Sequence, residues 1–362
     1  MAKKRTKVVD LALQGGGAHG ALTWGVLDHL LTDERIEIAT ISGTSAGGMN
    51  AVVMADGLHQ GGREGARDAL KSFWKAVSDA ARFSPMQRSP WDRLTNKFSL
   101  DKSPGYLFFE LLSRQFSPYE LNPLNINPLR DLVESLVDFE RVNRCKDLKV
   151  FVTATNVRTG RGRTFTQPEL TVDAVMASAC LPFMYQAVEI DGEAYWDGGY
   201  IGNPALYPLV EDQATRDLIV VQINPMVRED LPRTGREIIN RLNEITFNSS
   251  LIKELRAIEL LHQLIEAEQL ESERYRDIYV HLIHAHEELK DLSASSKMNA
   301  EWEFLTHLME RGQGWAEAFL DKHFDDLGVR STFDLKSLFT DSFSPPNLDE
   351  ATSTEPLREP PP

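Results

Sequence analysis

The sequence predicts an α/β fold. It reads as three layers, α/β/α, around a mostly parallel central sheet, with a helical C-terminal extension. Three observations carry that expectation. Short apolar, β-branched runs at 7–13, near 39–42, at 148–156 and at 217–224 alternate with helical patterns, which is the mark of strand–helix–strand units. Two of the runs feed directly into glycine-rich turns, GGGAHG and GTSAGG, each followed by a helical pattern. Beyond about Arg233 the strand pattern gives way to long amphipathic stretches.

Taken in order, KVVDLAL (7–13) is a first buried strand. It runs into Gly15-Gly16-Gly17-Ala18-His19-Gly20, and ALTWGVLDHLL then reads as an apolar helix. The second strand, near Ala39–Ser42, ends in the turn around Ser45, and a small-residue helix follows. DGLHQGGREGAR (56–67) reads as a polar loop, and Ala66–Ala81 as a helix with Phe73, Trp74 and Val77 on one side. Residues 82–128 mix repeated prolines with aromatics and hold one short helical pattern near Tyr106–Arg114. They fit either an irregular insertion packed on the core or a cap that supplies an apolar acyl-chain pocket. PLRDLVESLVD (128–138) is a short amphipathic helix, LKVFVTATN (148–156) a central strand, and RTFT its hairpin partner. VDAVMASACLPF (172–183) is a helix ended by Pro182. Asp191-Gly192 is a tight-turn signal between two short strands, the second of which delivers Asp197-Gly198-Gly199. Ile238–Glu268 and Trp302–His323 are amphipathic helices, with a last strand expected at 279–285. The Pro-rich, acidic tail, 344–362, is expected to be disordered.

Composition narrows the function. The chain has 362 residues, 42% hydrophobic and 26% charged, enough for a sizeable core. A net charge of −15 argues against nucleic acid as a partner. Two cysteines, Cys145 and Cys180, form neither a disulfide framework nor a metal-ligand spacing; no cofactor is expected. The basic start, MAKKRTK, precedes an apolar run that Asp10 interrupts, a poor signal-peptide core. No apolar run approaches the roughly 18 residues of a membrane span. A reduced, cytoplasmic enzyme is the expectation, with transient contact at a membrane surface left open.

Gly43-Thr44-Ser45-Ala46-Gly47 is G-x-S-x-G between strand and helix, the arrangement of a nucleophile elbow. Gly43 and Gly47 add no Cβ where strand and helix pack closely. A plain Gly/Ser connecting loop fits the pentapeptide as well. The first glycine turn points several amides at one spot, an anion site. Its spacing also satisfies G-x-G-x-x-G, but the acidic residue that a dinucleotide site needs at the end of the second strand is missing; Asp33, Glu34 and Glu37 lie before it. In a serine hydrolase the same loop serves as an oxyanion hole. A serine hydroxyl needs a base. His262, His281, His284, His286, His307 and His323 follow Asp197, each in a helical or charged context without turn chemistry. Asp197, at a strand end before two glycines, is the more suggestive base.

LALQGGGAHGA, GTSAGG and DGG, in this order and roughly this spacing, resemble the patatin-like phospholipases. VTATNVRTG and ASACLPFMYQAVEIDGEAYWDGG resemble that family's sequence between elbow and carboxylate, and the likeness covers about Val8–Ile223. The resemblance implies a patatin-like catalytic domain over 1–230, within which 82–128 is the candidate cap insertion; the helical region over 231–343 lies outside the resemblance. It implies a Ser–Asp dyad without histidine, with Ser45 as nucleophile and Asp197 as general base. It implies the backbone amides of Gly15, Gly16, Gly17 and Ala18 as the oxyanion hole, with Gly20, Gly43, Gly47, Gly198 and Gly199 supporting the turns. The implied substrates are acyl esters of phospholipids and related lipids, hydrolysed without a metal; the alternative is a non-catalytic lipid-binding or scaffolding protein on the same fold. One position departs from the pattern: His19 stands where the family often carries Arg or Lys, which leaves headgroup preference open.

Overall fold

The computed structural model describes residues 6–94, 98–267, 276–284 and 292–340. The tail expected to be disordered, 344–362, and His286 lie outside the described residues. The strands are β1 (Lys7–Leu13), β2 (Ile36–Gly43), β3 (Lys149–Asn156), β4 (Gly162–Thr166), β5 (Val188–Ile190), β6 (Glu193–Trp196), β7 (Asp217–Val221) and β8 (Tyr279–Ile283). The first helices are α1 (Gly20–Thr32), α2 (Ala46–Ala81), α3 (Pro90–Leu94), α4 (Pro104–Ser113), α5 (Pro118–Leu121), α6 (Pro128–Leu136) and α7 (Phe139–Arg144). They are followed by α8 (Val172–Ser178), α9 (Tyr207–Asp212), α10 (Gly235–Glu266), α11 (Trp302–His323) and α12 (Ser337–Thr340).

One sheet runs β5-β6-β3-β2-β1-β7-β8, with β4 paired to β3. The pairs β1–β2, β1–β7, β2–β3 and β7–β8 are parallel; β3–β4, β3–β6 and β5–β6 are antiparallel. The Asp191-Gly192 turn closes the β5–β6 hairpin with positive φ at both residues, 55° and 78°, the conformation that a two-residue hairpin with native twist requires.

The period of two decides the layers. In β1, Val9, Leu11 and Leu13 face one apolar cluster and Ala12 the other. In β7, Ile219 and Val221 join the first cluster, while Leu218 and Val220 join the second. The first cluster is closed by α1, α2, α8 and α11, the second by α9 and α10. Strands buried on both faces read as continuous apolar runs, which is why β1 and β7 carry no polar alternation. The expected three-layer fold is therefore present, helical extension included.

Two elements differ from the sequence reading. The polar stretch 56–67 is helical except at Gly61 and Gly62, where the chain turns back on itself with φ +62° at Gly62. Gly57 then meets Gly65 so closely that a Cβ on Gly57 would lie 2.4 Å from the Gly65 carbonyl oxygen. Glycine here allows helix-on-helix contact rather than marking a loop. Among the described residues of 82–128, where one short helix was expected, there are three, α3–α5.

The chain beyond residue 230 is built into the same core. β8 extends the sheet beside β7, and α11 lies along α1. A Cβ on Gly25 would fall 1.9 Å from the Met309 carbonyl oxygen, and one on Gly312 would fall 2.0 Å from that of Leu22. Gly312→Ala gains the helix propensity of alanine, up to about 1 kcal/mol, but overpacks a backbone contact at a cost of about 1–3 kcal/mol. A net destabilisation is expected in urea unfolding; a stabilised variant would mean that α1 and α11 are not in this contact.

Candidate active site

β1, β2 and β7 all end at one edge of the sheet, where Leu13 pairs with Gly43 on one side and Val221 on the other. In open α/β sheets this edge, at the carboxyl ends of the strands, is where ligands bind. Gln14–Gly17 leave β1 there, Thr44-Ser45 leave β2, and Gln222–Asn224 leave β7.

Ser45 occupies the turn into α2 with φ 54° and ψ −121°. Only a few per cent of non-glycine residues adopt positive φ, and strain of this kind persists where its surroundings over-determine it. Here the Ser45 amide donates to Ser178 Oγ at 2.9 Å, and the Ser45 carbonyl accepts from the Met49 amide at 3.0 Å. A Cβ on Gly47 would lie 2.3 Å from the Leu13 carbonyl oxygen, so strand and helix can approach only with glycine there. The Ser45 hydroxyl makes no capping bond to α2. Thr44 is locked by its hydroxyl, which donates to the Gly202 carbonyl at 2.7 Å.

Asp197 follows β6, and its side chain is buried. Its amide donates to the Cys180 carbonyl at 2.8 Å, its carbonyl accepts from the Thr155 hydroxyl at 2.8 Å, and its Oδ1 accepts from the Gly199 amide at 2.7 Å. Burial raises the carboxyl from its ordinary 3.8 to about 6. The Gly199 amide, hydrogen bonding with the Ser45 side chain and the charge of Lys297 pull the other way without cancelling it.

The glycine loop rests on a buried amide network. Gln14 Oε1 accepts from the amides of Ile223 and Asn224, both at 2.9 Å, and from Asn224 Nδ2 at 3.2 Å. Gln14 Nε2 donates to the Asn203 carbonyl and to Asn248 Oδ1, both at 3.1 Å. Asn224 Nδ2 donates to the Gly15 carbonyl at 2.7 Å. The Gly15 amide donates to Asn203 Oδ1 at 2.6 Å, so it is committed inside the protein. Gly16, Gly17 and Ala18 are bound differently: among the described residues no acceptor within the protein is paired with their amides. Of the four amides expected to face a substrate oxygen, three remain available.

Gly17 has φ +59°, and a Cβ there would sit 2.4 Å from the Lys297 carbonyl oxygen. His19 is buried, with Nε2 bonded to Ser296 Oγ at 2.8 Å. Burial, then Lys297 and Arg228, push its pKa well below 6.5, so the ring is neutral at pH 7. The positive charge near the loop comes instead from Lys297, whose Nζ donates to Asn224 Oδ1 at 2.7 Å.

The structure thus brings Ser45, Asp197 and the glycine loop to one place. Among the described residues it does not bring there the histidines that follow Asp197. His262 pairs with Asp277 at 2.6 Å, His281 with Asp217 at 3.0 Å and His323 with Asp326 at 3.0 Å, while His307 stacks on Phe98. His284 lines an apolar cavity beside β8 with Trp315, Phe319 and Phe333, apart from Ser45. No acidic side chain ends β2, which runs directly into Thr44-Ser45. Among the described residues no group of three His, Cys, Asp or Glu side chains is placed to hold a metal ion.

The family model for patatin-like phospholipase matches residues 11–210, just over half of the 362. The chain belongs to the patatin-like phospholipase family. Ser45 and Asp197 both lie within the matched range, whereas Asn224, Asn248 and Lys297 lie beyond it. No curated protein matches the chain. Among solved structures, VipD from Legionella pneumophila is similar at 15% identity over 89% of this chain and 68% of that one, with a TM-score of 0.43. ExoU, in its heterodimeric complex with SpcU from the type III secretion system of Pseudomonas aeruginosa, is similar at 17% identity over 89% of this chain, with a TM-score of 0.30. This chain spans about half, 52%, of that second chain.

Sequence reasoning missed Gln14, Asn203, Asn224, Asn248, Ser178 and Lys297. Gln14 is adjacent to the glycine motif, but a lone amide carries no pattern; the others are distant in sequence and meet only in the fold. Gln14→Leu strands several buried partners, each costing about 1–3 kcal/mol. A loss of at least about 3 kcal/mol in urea unfolding is expected; a loss below 1 kcal/mol would mean that the network does not carry the loop.

Proposed function

We propose that this chain is a serine acyl-ester hydrolase of lipids, of phospholipase A or lysophospholipase type, acting through a Ser45–Asp197 dyad. One observation carries the reading. A serine hydroxyl on a strained elbow, making no cap bond to its helix, hydrogen-bonds a buried carboxylate of raised pKa, beside amides that have no acceptor among the described residues.

The chemistry follows from that placement. Asp197 takes the hydroxyl proton as Ser45 Oγ bonds to the ester carbonyl carbon. The charge that moves to the carbonyl oxygen is held by the amides of Gly16, Gly17 and Ala18, an effect of about 10²–10³ in rate per donor. The intermediate collapses, the bond to the alcohol breaks, and the alcohol takes the proton back from Asp197. Water, losing a proton to the same carboxylate, attacks the acyl-serine carbonyl; the bond to Ser45 Oγ breaks, Asp197 returns the proton to that oxygen, and the fatty acid leaves. A base with a pKa near 6 takes a proton far better than an ordinary aspartate.

Residues 1–230 are read as the catalytic unit, with 82–128 as a cap. α5 and the turn after it reach the loop that precedes β5: Gln186 Nε2 donates to the Asn122 carbonyl at 2.8 Å. Leu100 donates its amide to Ser295 Oγ at 3.0 Å. Around these ties the cap leaves Phe108, Leu111, Leu124 and Ile126 exposed, a surface suited to a lipid interface. Among the described residues no helix is long and apolar enough to cross a membrane.

Ser45→Ala is expected to lower nitrophenyl-ester turnover by about 10³-fold or more while the fold is kept. Asp197→Asn is expected to cost about 10²–10⁴-fold; near-wild-type turnover in that variant would remove Asp197 as the base. Protonated Asp197 cannot accept a proton, so kcat/KM is expected to be highest near pH 7 and to fall as pH drops through about 6. An acid limb near 4 would contradict a buried base. Phe108→Ser with Leu111→Ser forfeits roughly 1.5–3 kcal/mol of burial per side chain. Turnover of vesicle-borne phospholipid is expected to fall at least about tenfold while a soluble short-chain ester is unaffected; equal loss on both would exclude a lipid-facing cap.

A further inference from the structure

We propose that Lys297, brought from the far end of the chain by the short helical segment Ala294–Met298, is a positioning residue of the catalytic centre. It clamps the glycine loop at two points and sets a fixed positive charge behind it. The inference rests on the Ser45–Asp197 reading of the site.

The clamp is visible atom by atom. The Lys297 carbonyl closes on Gly17 so tightly that only glycine fits, with 2.4 Å left for a Cβ. The Lys297 ammonium donates to Asn224 Oδ1 at 2.7 Å, and Asn224 Nδ2 in turn donates to the Gly15 carbonyl at 2.7 Å. Backbone and side chain of one residue thus fix both ends of the stretch whose amides lack acceptors. Ser296, the preceding residue, bonds His19 just past the loop at 2.8 Å.

The charge is as specific as the clamp. Among the described residues no carboxylate lies within ion-pair distance of Lys297, whereas Arg228 is paired with Glu244 at 2.8 Å. His19, buried and neutral, supplies no charge. An ammonium has three donors and Asn224 uses one. Burial lowers Lys297 to about 8, with Arg228 pressing the same way and Glu244 and Asp197 opposing, so it stays charged at pH 7. A cation held there favours negative charge on a substrate oxygen at the loop. It also favours the ionised form of Asp197.

The test compares Lys297→Gln, which keeps a donor and loses the charge, Lys297→Met, which loses both, and Lys297→Arg, which keeps the charge. Ser45→Ala is the control, and kcat and KM for a neutral short-chain nitrophenyl ester are followed from pH 5 to 8. The groups facing Lys297 are Asp197, His19, Arg228 and Glu244. Losing the cation raises Asp197 further, so its proton leaves only at higher pH and the acid limb moves upward. The expected result is a kcat at least about tenfold lower with KM little changed in the Gln and Met variants, an acid limb shifted to higher pH, and recovery of both in the Arg variant. Rates of the Lys297 variants are taken per Ser45 titrated to completion with a fluorophosphonate, and that of Ser45→Ala per total protein, so a poorly folded Lys297 variant does not mimic the effect. A wild-type kcat and an unmoved limb in both neutral variants, with Ser45→Ala inactive, would overturn the role of Lys297 alone. A Ser45→Ala protein as active as the wild type would overturn the reading of the site itself.

Discussion

Gln14 sits where β1 ends, walled off from water, and its amide must be satisfied by protein alone. It meets the turn after β7, the Asn203 backbone and the Asn248 side chain on α10. A half-satisfied buried network is costlier than an apolar one, so these contacts form together. What they fix is the path of Gly15–Gly17 across the edge of the sheet. The elbow depends on the same constraint, because Gly15 lies against Ser45 with 2.7 Å between their Cβ positions were Gly15 to carry one. Moving the loop would move the serine.

Opposing electrostatic effects meet at Asp197. Burial pushes its pKa up; the Gly199 amide, the Ser45 side chain and Lys297 push it down. Burial wins, but only to about 6, which leaves the group ionised at neutral pH and still basic. Fewer stabilising contacts would leave it a protonated acid, and more would leave it too weak a base. Cys180, next to Asp197 through its carbonyl, is buried in the same region and its thiol rises to about 12, so it stays a neutral thiol.

The sequence made the scaffold legible wherever a local rule dictates the structure. β1, β3 and β7 follow from β-branched apolar runs, the β5–β6 hairpin from Asp191-Gly192, and the elbow from glycines that a Cβ would obstruct. Trp302–His323 is helical as its periodicity predicts. Legibility failed where glycine had a second use, at Gly57 and Gly65, where contact between helices looks like a loop in one dimension. It failed again for the site's supports. Asn203, Asn224, Asn248 and Lys297 owe their roles to closure of the sheet by β7 and to the docking of α10 and Ala294–Met298, and no spacing encodes that. The positions of Ser45, Asp197 and the loop could be read from the sequence; what holds them, and the charge behind them, could not.

The most direct test of the account is to locate and time a single covalent event. Wild-type protein would be treated with a fluorophosphonate between pH 5 and 8, and the adduct mapped by peptide mass spectrometry while its rate of formation is followed. One adduct is expected, on Ser45, with a rate that rises as Asp197 loses its proton near pH 6 and then levels. An adduct on another residue would contradict it. So would a Ser45 adduct whose rate is indifferent to pH across that range, because no carboxylate of raised pKa would then be taking the proton.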